Sequence, residues 1–319
     1  MTPLVFVHVP KTAGTSFRYG ADSYWGGDNV CRDYGPNSPE TSQIVRDWVL
    51  ERSDIWRFRR AFNEKQYQFL TGHFNAQRYL PIFGVDRMVT FLREPVQRIV
   101  SEFQHFQRHY DYQHGFEHFY RSAPFINRQL GMFDNTAWAA LGMIGLTEAY
   151  EESVALINSK YALEIPVLAE NRGRDSLAEQ YPVSESQREE ILRLNAREVS
   201  FYESARVQFE WRKRLAEQGN IYVAGALGEY RNDRIHGWAL PELGDEPARI
   251  GVLVNGELAG EADATQSRPG LRAQGVGRAG LVGFAIKVPG LEASDEVQCV
   301  VLSTGQPLTQ SSLHIPAGS

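Results

Sequence analysis

The chain has 319 residues, enough for one large domain or two ordinary ones, and 42% hydrophobic with 12% aromatic residues is enough to fill a core. A formal net charge of −6 argues against a general nucleic-acid binder, so any polyanion would have to meet a local basic patch. Two distant cysteines, Cys31 and Cys299, exclude a disulfide framework, no Cys/His spacing suggests a metal, and no apolar run approaches the ~20 residues of a membrane span.

The first predicted element is a strand over Leu4–Val9, stopped by Pro10. Lys11, Thr12, Ala13, Gly14, Thr15 and Ser16 follow at the hand-over from strand to helix. Backbone N–H groups at a helix start carry partial positive charge and suit an anion. Gly14 permits close approach of backbone to ligand, the three hydroxyls add donors, and Lys11 adds a full charge. The loop is not a Walker A motif, because its lysine precedes the glycine. A capped turn with a surface lysine would carry the same residues.

WRFRRAF, residues 56–62, interleaves Trp56 and Phe58 with Arg57, Arg59 and Arg60. It reads either as a grip on an anionic sugar or as a helix with one solvated basic face. A short strand over Gln68–Leu70 runs out through Gly72 to His73. Histidine titrates near neutral pH and is the commonest general base, although a histidine bonded into a loop looks alike.

Arg87–Leu92 is the next predicted strand, with Arg93 at its end. A helix begins at Pro95, with Val96, Ile99, Val100, Phe103 and Phe106 recurring at spacings of three and four. Ser101 stands a little over two turns beyond Arg93, and the pair could hold a phosphate. Lys11 and Arg93 both fall at strand carboxyl ends, where an open α/β sheet keeps its ligand crevice. His8, inside the first strand, reads as structural. His105, His109, His114 and His118 read as amphipathic surface or acceptor cleft rather than as metal ligands.

A capping box, Ser184 to Gln187, opens a helix with Ile191, Leu194, Val199, Tyr202, Ala205 and Phe209 on its apolar face. Gly219 ends it. Strands alternating with helices predict an α/β domain with a mostly parallel sheet over residues 1–218. Beyond it, Ile250–Val254 and Glu257–Ala262 flank an Asn255-Gly256 turn, and Gly283–Val288 and Val297–Leu302 read as further strands. A small all-β sandwich is expected over 219–319.

HVPKTAGTSF (8–17) with FLREPVQRIVSEFQH (91–105) resembles the cofactor-binding pair of the carbohydrate sulfotransferases, closest to the heparan sulfate 6-O branch and sharing the outline of the 2-O branch. INRQLGMF (126–133), IGLTEAYEESVALI (144–157) and LNAREVSFYESARVQF (194–209) continue the likeness in order, over about residues 4–212. The resemblance implies a P-loop-NTPase-like sulfotransferase fold. It implies 3′-phosphoadenosine 5′-phosphosulfate (PAPS) as donor, the bisphosphate PAP as product, and no metal. Lys11, Thr12, Ala13, Gly14, Thr15 and Ser16 would hold the 5′-phosphosulfate, and Arg93 with Ser101 the 3′-phosphate. Gly145, Leu146 and Thr147 would lie near the adenine, and Arg128, between Asn127 and Gln129, beside the cofactor. His73 would be the general base, Lys11 would stabilise the leaving oxygen, and a glycan hydroxyl would accept the sulfuryl group. HGWAL (236–240), VLVNGELAGEA (252–262), RPGL (268–271) and GFAIKVPG (283–290) resemble small β modules appended to bacterial glycan-modifying enzymes. Golgi relatives carry a membrane anchor; none is visible here, nor a signal-peptide pattern, so a cytoplasmic enzyme is expected. A non-catalytic nucleotide- or glycan-binding module and a nucleotide-dependent kinase are the alternatives.

Overall fold

The computed structural model describes residues 3–168 and 181–309. The chain divides into two compact units, Met1–Thr136 with Leu141–Arg206, and Ala137–Ala140 with Val207–Ser319. The predicted boundary at 218/219 marks instead the end of the last long helix, at Glu217.

The first unit is α/β. Its five strands are β1 (Leu4–Val7), β2 (Val30–Asp33), β3 (Phe69–Gly72), β4 (Met88–Leu92) and β5 (Met143–Leu146). They form one sheet in the order β2-β3-β1-β4-β5, every neighbouring pair parallel. Helices cover both faces of such a sheet, so its strands are largely apolar. β1, β3, β4 and β5 are buried at every position. Phe6, Phe17, Phe69, Phe91, Val89 and Met143 pack with Val154 and Ile157 into one core. Phe17 belongs to α1 (Gly14–Trp25).

Three differences from the sequence reading have local causes. β1 ends at Val7, two residues early, because the chain turns before Pro10. β2 and β5 were not predicted: each has four residues, one reading VCRD and the other MIGL, too short for a period. The helix from Ser184 is two helices, Glu185–Leu194 and Ala196–Glu217, broken at Asn195 (φ −107°, ψ 26°). The capping box forms as predicted, Ser184 Oγ accepting from Gln187 N. Pro95 opens α2 (Pro95–His109), whose Val96, Ile99 and Val100 are buried as expected.

The second unit has two antiparallel sheets. One holds β6 (Val223–Arg231), β7 (Arg234–Pro241), β10 (Gln266–Ser267) and β11 (Leu281–Lys287), in the order β10-β11-β7-β6. The other holds β8 (Arg249–Val254), β9 (Glu257–Asp263) and β12 (Val297–Val301), in the order β12-β8-β9. Leu227, Ile235, Phe284 and Ile286 of the first meet Ile250, Val252, Cys299 and Val301 of the second in a common core. The β8–β9 turn is the predicted Asn255-Gly256, both at positive φ (51° and 85°), the twist a two-residue hairpin requires.

Gly72 decides how β3 leaves the sheet. A Cβ there would overlap the carbonyl oxygen of Asp33 on β2, the same oxygen that accepts from His73 N at 3.0 Å. Overpacking of this kind costs about 1–3 kcal/mol. Gly72→Ala is therefore expected to lower unfolding free energy by about 1–3 kcal/mol in urea titration; an unchanged midpoint would show that β2 and β3 separate freely.

Candidate functional site

The parallel sheet delivers the exits of β1, β3, β4 and β5 to one edge, and with them Lys11, His73, Arg93 and Thr147. In the first loop, Lys11 (φ 67°) and Ala13 (φ 63°) are both left-handed, a conformation costing a non-glycine residue roughly 1–2 kcal/mol. Left-handed residues in such a loop turn successive N–H groups into a concave anion nest. Ala13 is also the N-cap of α1, so the nest opens onto a helix start. Thr12 is buried and its hydroxyl donates to Val9 O at 2.9 Å, clasping the loop to the strand exit. Thr15 is exposed and Ser16 buried. The sequence reading assigned Gly14 a close approach to ligand; a Cβ on Gly14 would strike the His8 ring, 2.5 Å from Nε2. The missing side chain seats the loop directly on His8.

His73 Nδ1 lies 2.6 Å from the carbonyl oxygen of His8. A carbonyl can only accept, so Nδ1 carries the hydrogen and Nε2 the lone pair. Tyr34 stands edge-on to His73, with ring centroids 4.9 Å apart, and its hydroxyl lies 3.1 Å from His8 Nδ1. His73 is exposed to solvent. Crowding by its surroundings lowers its pKa, as do the charges of Arg128 and Arg18, against the opposing His8 bond. His8 is 6% exposed and its pKa lies well below the ordinary 6.5, through burial first and then His73, Arg18 and Lys11. Near pH 7 His73 is thus a neutral imidazole with Nε2 as its acceptor.

Arg93 leaves β4 with its backbone clasped by one side chain. Its N–H donates to Gln129 Oε1 and its carbonyl accepts from Gln129 Nε2, both at 2.9 Å. The guanidinium lies 5.4 Å from the Tyr181 ring centroid, with Nη1 3.5 Å from the Lys11 carbonyl. Burial lowers the pKa of Lys11, as do Arg108 and Arg93, while Glu102 opposes them. Burial with Lys11, His109 and Arg108 pushes His105 down to about 4. An acidic chain has therefore gathered mutually repelling cations at one sheet edge. Arg128 pairs with Glu102 at 3.0 Å. Ser101 is buried on α2 two turns beyond Arg93.

The segment 145–147 is used in building the edge. A Cβ on Gly145 would lie 2.8 Å from Ser153 Cβ and 2.9 Å from Phe91 Cε1. Leu146 N donates to Ser153 Oγ at 2.9 Å, and Thr147 Oγ1 to Leu92 O at 3.0 Å. In WRFRRAF, Phe58 is buried while Trp56, Arg57, Arg59 and Arg60 are exposed, and Arg57 lies over the Trp48 ring at 5.2 Å.

Beneath the edge lies a polar cluster that sequence reasoning missed. Arg98 is fully buried, 2.5 Å from Glu102 and 3.4 Å from Glu198. Arg98 and Glu102, four apart on a helix, carry the signature of an ordinary solvated pair. Tyr34 had no signal at all. Among the described residues, no group of three or more His, Cys, Asp or Glu could hold a metal ion, and no helix is long and apolar enough to cross a membrane. No protein-family model matches the chain, and no curated protein matches it.

The two depressed histidines make stability pH-dependent. Unfolding returns them to about 6.5, so between the folded and unfolded values the unfolded chain binds more protons. Their contribution is complete above about pH 6.5 and is lost as pH falls through the folded values. Urea unfolding is expected to give a lower midpoint at about pH 5 than at about pH 7.5, and His8→Gln to shrink that difference. An undiminished difference in the variant would exclude His8 as a source.

Proposed function

We propose that this chain is a PAPS-dependent carbohydrate O-sulfotransferase that uses His73 as general base. One observation carries the reading. A neutral histidine with Nε2 as acceptor and a cation-crowded lysine leave adjacent parallel strands, β3 and β1, at the same edge. Arg108 and Arg93 disfavour the charged form of Lys11, with Glu102 opposing them, and a multiply charged anion would favour it, which suits a donor with a phosphosulfate and a second phosphate. The five-stranded parallel sheet is the coarse architecture that the resemblance implies. The glycan acceptor follows from the resemblance alone.

In this reading the acceptor hydroxyl attacks sulfur in line with the departing 5′-phosphate oxygen. An oxygen–sulfur bond forms as the sulfur–oxygen bond to phosphate breaks. The hydroxyl proton passes to His73 Nε2, and the new negative charge on the leaving oxygen falls to Lys11 and the loop amides. Arg93 holds the 3′-phosphate, with Ser101 as its partner. Arg128 stands beside the donor, and Gly145, Leu146 and Thr147 border the adenine. PAP is released.

Calorimetric titration with 3′,5′-adenosine bisphosphate, ADP and ATP tests the donor. The bisphosphate is expected to bind best and Arg93→Ala to remove that preference; ADP or ATP binding equally well would overturn the donor. His73→Ala is expected to keep bisphosphate affinity while turnover with a glycan acceptor drops by ~10²–10⁴. A folded His73→Ala protein that turns over within a few-fold of the parent would refute the base.

A further inference from the structure

The segment LNAREVSF carries two buried polar residues, Asn195 and Glu198, that the proposed chemistry does not use. Glu198 is fully buried and meets the site by two routes. On one, its Oε2 accepts from Gln129 N at 2.7 Å and its Oε1 from Gln129 Nε2 at 3.0 Å. That same Nε2 donates to the Arg93 carbonyl, and Gln129 Oε1 accepts from Arg93 N. On the other, Glu198 Oε1 lies 3.4 Å from Arg98 Nε; Arg98 bonds Glu102, and Glu102 pairs with Arg128. Asn127 ties the start of this segment down: its N–H donates to Asn195 Oδ1 at 2.7 Å, and its Oδ1 accepts from Glu198 N at 2.9 Å.

The orientation of the Gln129 amide is the point. A carboxylate can only accept. Facing Glu198 and the Arg93 carbonyl, the amide must turn its NH₂ toward both, which leaves Oε1 for the Arg93 N–H. An apolar filler of equal volume often stabilises a fold as well as a buried ion pair does. It could not set this orientation. We infer that Glu198 is a positioning residue for the anion site: it fixes Gln129, and through it the exit direction of Arg93. The inference rests on the proposed reading for the identity of the ligand that Arg93 meets.

The test compares Glu198→Gln and Gln129→Met with the parent in the full chain. Buried supports of liganding groups typically contribute 10- to 100-fold, so Kd for 3′,5′-adenosine bisphosphate is expected to rise by about that factor in both variants. Kd for AMP, which lacks the 3′-phosphate, should stay within about twofold. In the Arg93→Ala background, Glu198→Gln should add less than about twofold to the bisphosphate Kd. Hydrogen exchange supplies a readout that needs no ligand. The Arg93 amide should exchange at least about tenfold faster in both variants while the amides of β1 stay protected. Equal weakening of both nucleotides, additivity with Arg93→Ala, or an unchanged Arg93 exchange rate would overturn the positioning role. If Glu198→Gln fails to fold, Gln129→Met carries the test alone, since it leaves Glu198 facing Arg98. A parent that does not prefer the bisphosphate to AMP would reject the donor instead, and Arg93 exchange would still decide the role of Glu198.

Discussion

Parallel strand direction is the constraint on which the rest of the first unit depends. Neighbouring strands that run the same way deliver their carboxyl ends to one edge, however far apart they lie in sequence. Lys11 and Arg93 are 82 positions apart, and Arg93 Nη1 lies 3.5 Å from the Lys11 carbonyl. His73 arrives from β3, next to β1, and its Nδ1 meets the carbonyl of His8. Two glycines make the edge compact. Gly72 lets β3 lie against Asp33, and Gly14 lets the first loop lie on His8.

The electrostatics of that edge run against the charge of the whole chain. A net charge of −6 offers a polyanion no general attraction, yet Arg108 and Arg93 both act on Lys11 here. Crowding like charges costs free energy, which an anionic ligand would offset. The histidines respond in the opposite way. Burial and nearby cations favour their neutral forms, which a proton acceptor needs near pH 7. One field thus suits both halves of the proposed reaction, anion binding and proton removal.

The buried cluster beneath Arg93 follows a different logic. Arg98, Glu102 and Glu198 leave water almost completely, at 0%, 2% and 0% side-chain exposure. Such burial has a desolvation penalty that pairing only partly offsets. Direction is what the cluster supplies: acceptor-only carboxylates dictate the orientation of an amide, and the amide dictates where a strand exit points. The helix break at Asn195 belongs to the same device, since Asn195 and Glu198 both bond Asn127, one to its N–H and the other to its side-chain oxygen.

Elements governed by neighbours in sequence were legible from sequence. The Asn255-Gly256 hairpin, the Ser184–Gln187 capping box and the helix from Pro95 depend on local dihedrals and short hydrogen bonds, which adjacent residues set. Lys11, His73 and Arg93 were legible as candidates because each sits where a strand pattern stops. β2 and β5 were not legible, being too short to show a period and lying at the two edges of the sheet, each held by a single neighbour. The position of Gly14 against His8, the edge-on Tyr34 and the inward course of Glu198 left no mark in the pattern. Each depends on a residue many positions away, and only closure of the sheet and packing of the helices brought those residues within reach. The sequence by itself determined which residues end the strands; the tertiary structure decided which of them meet and which way they point.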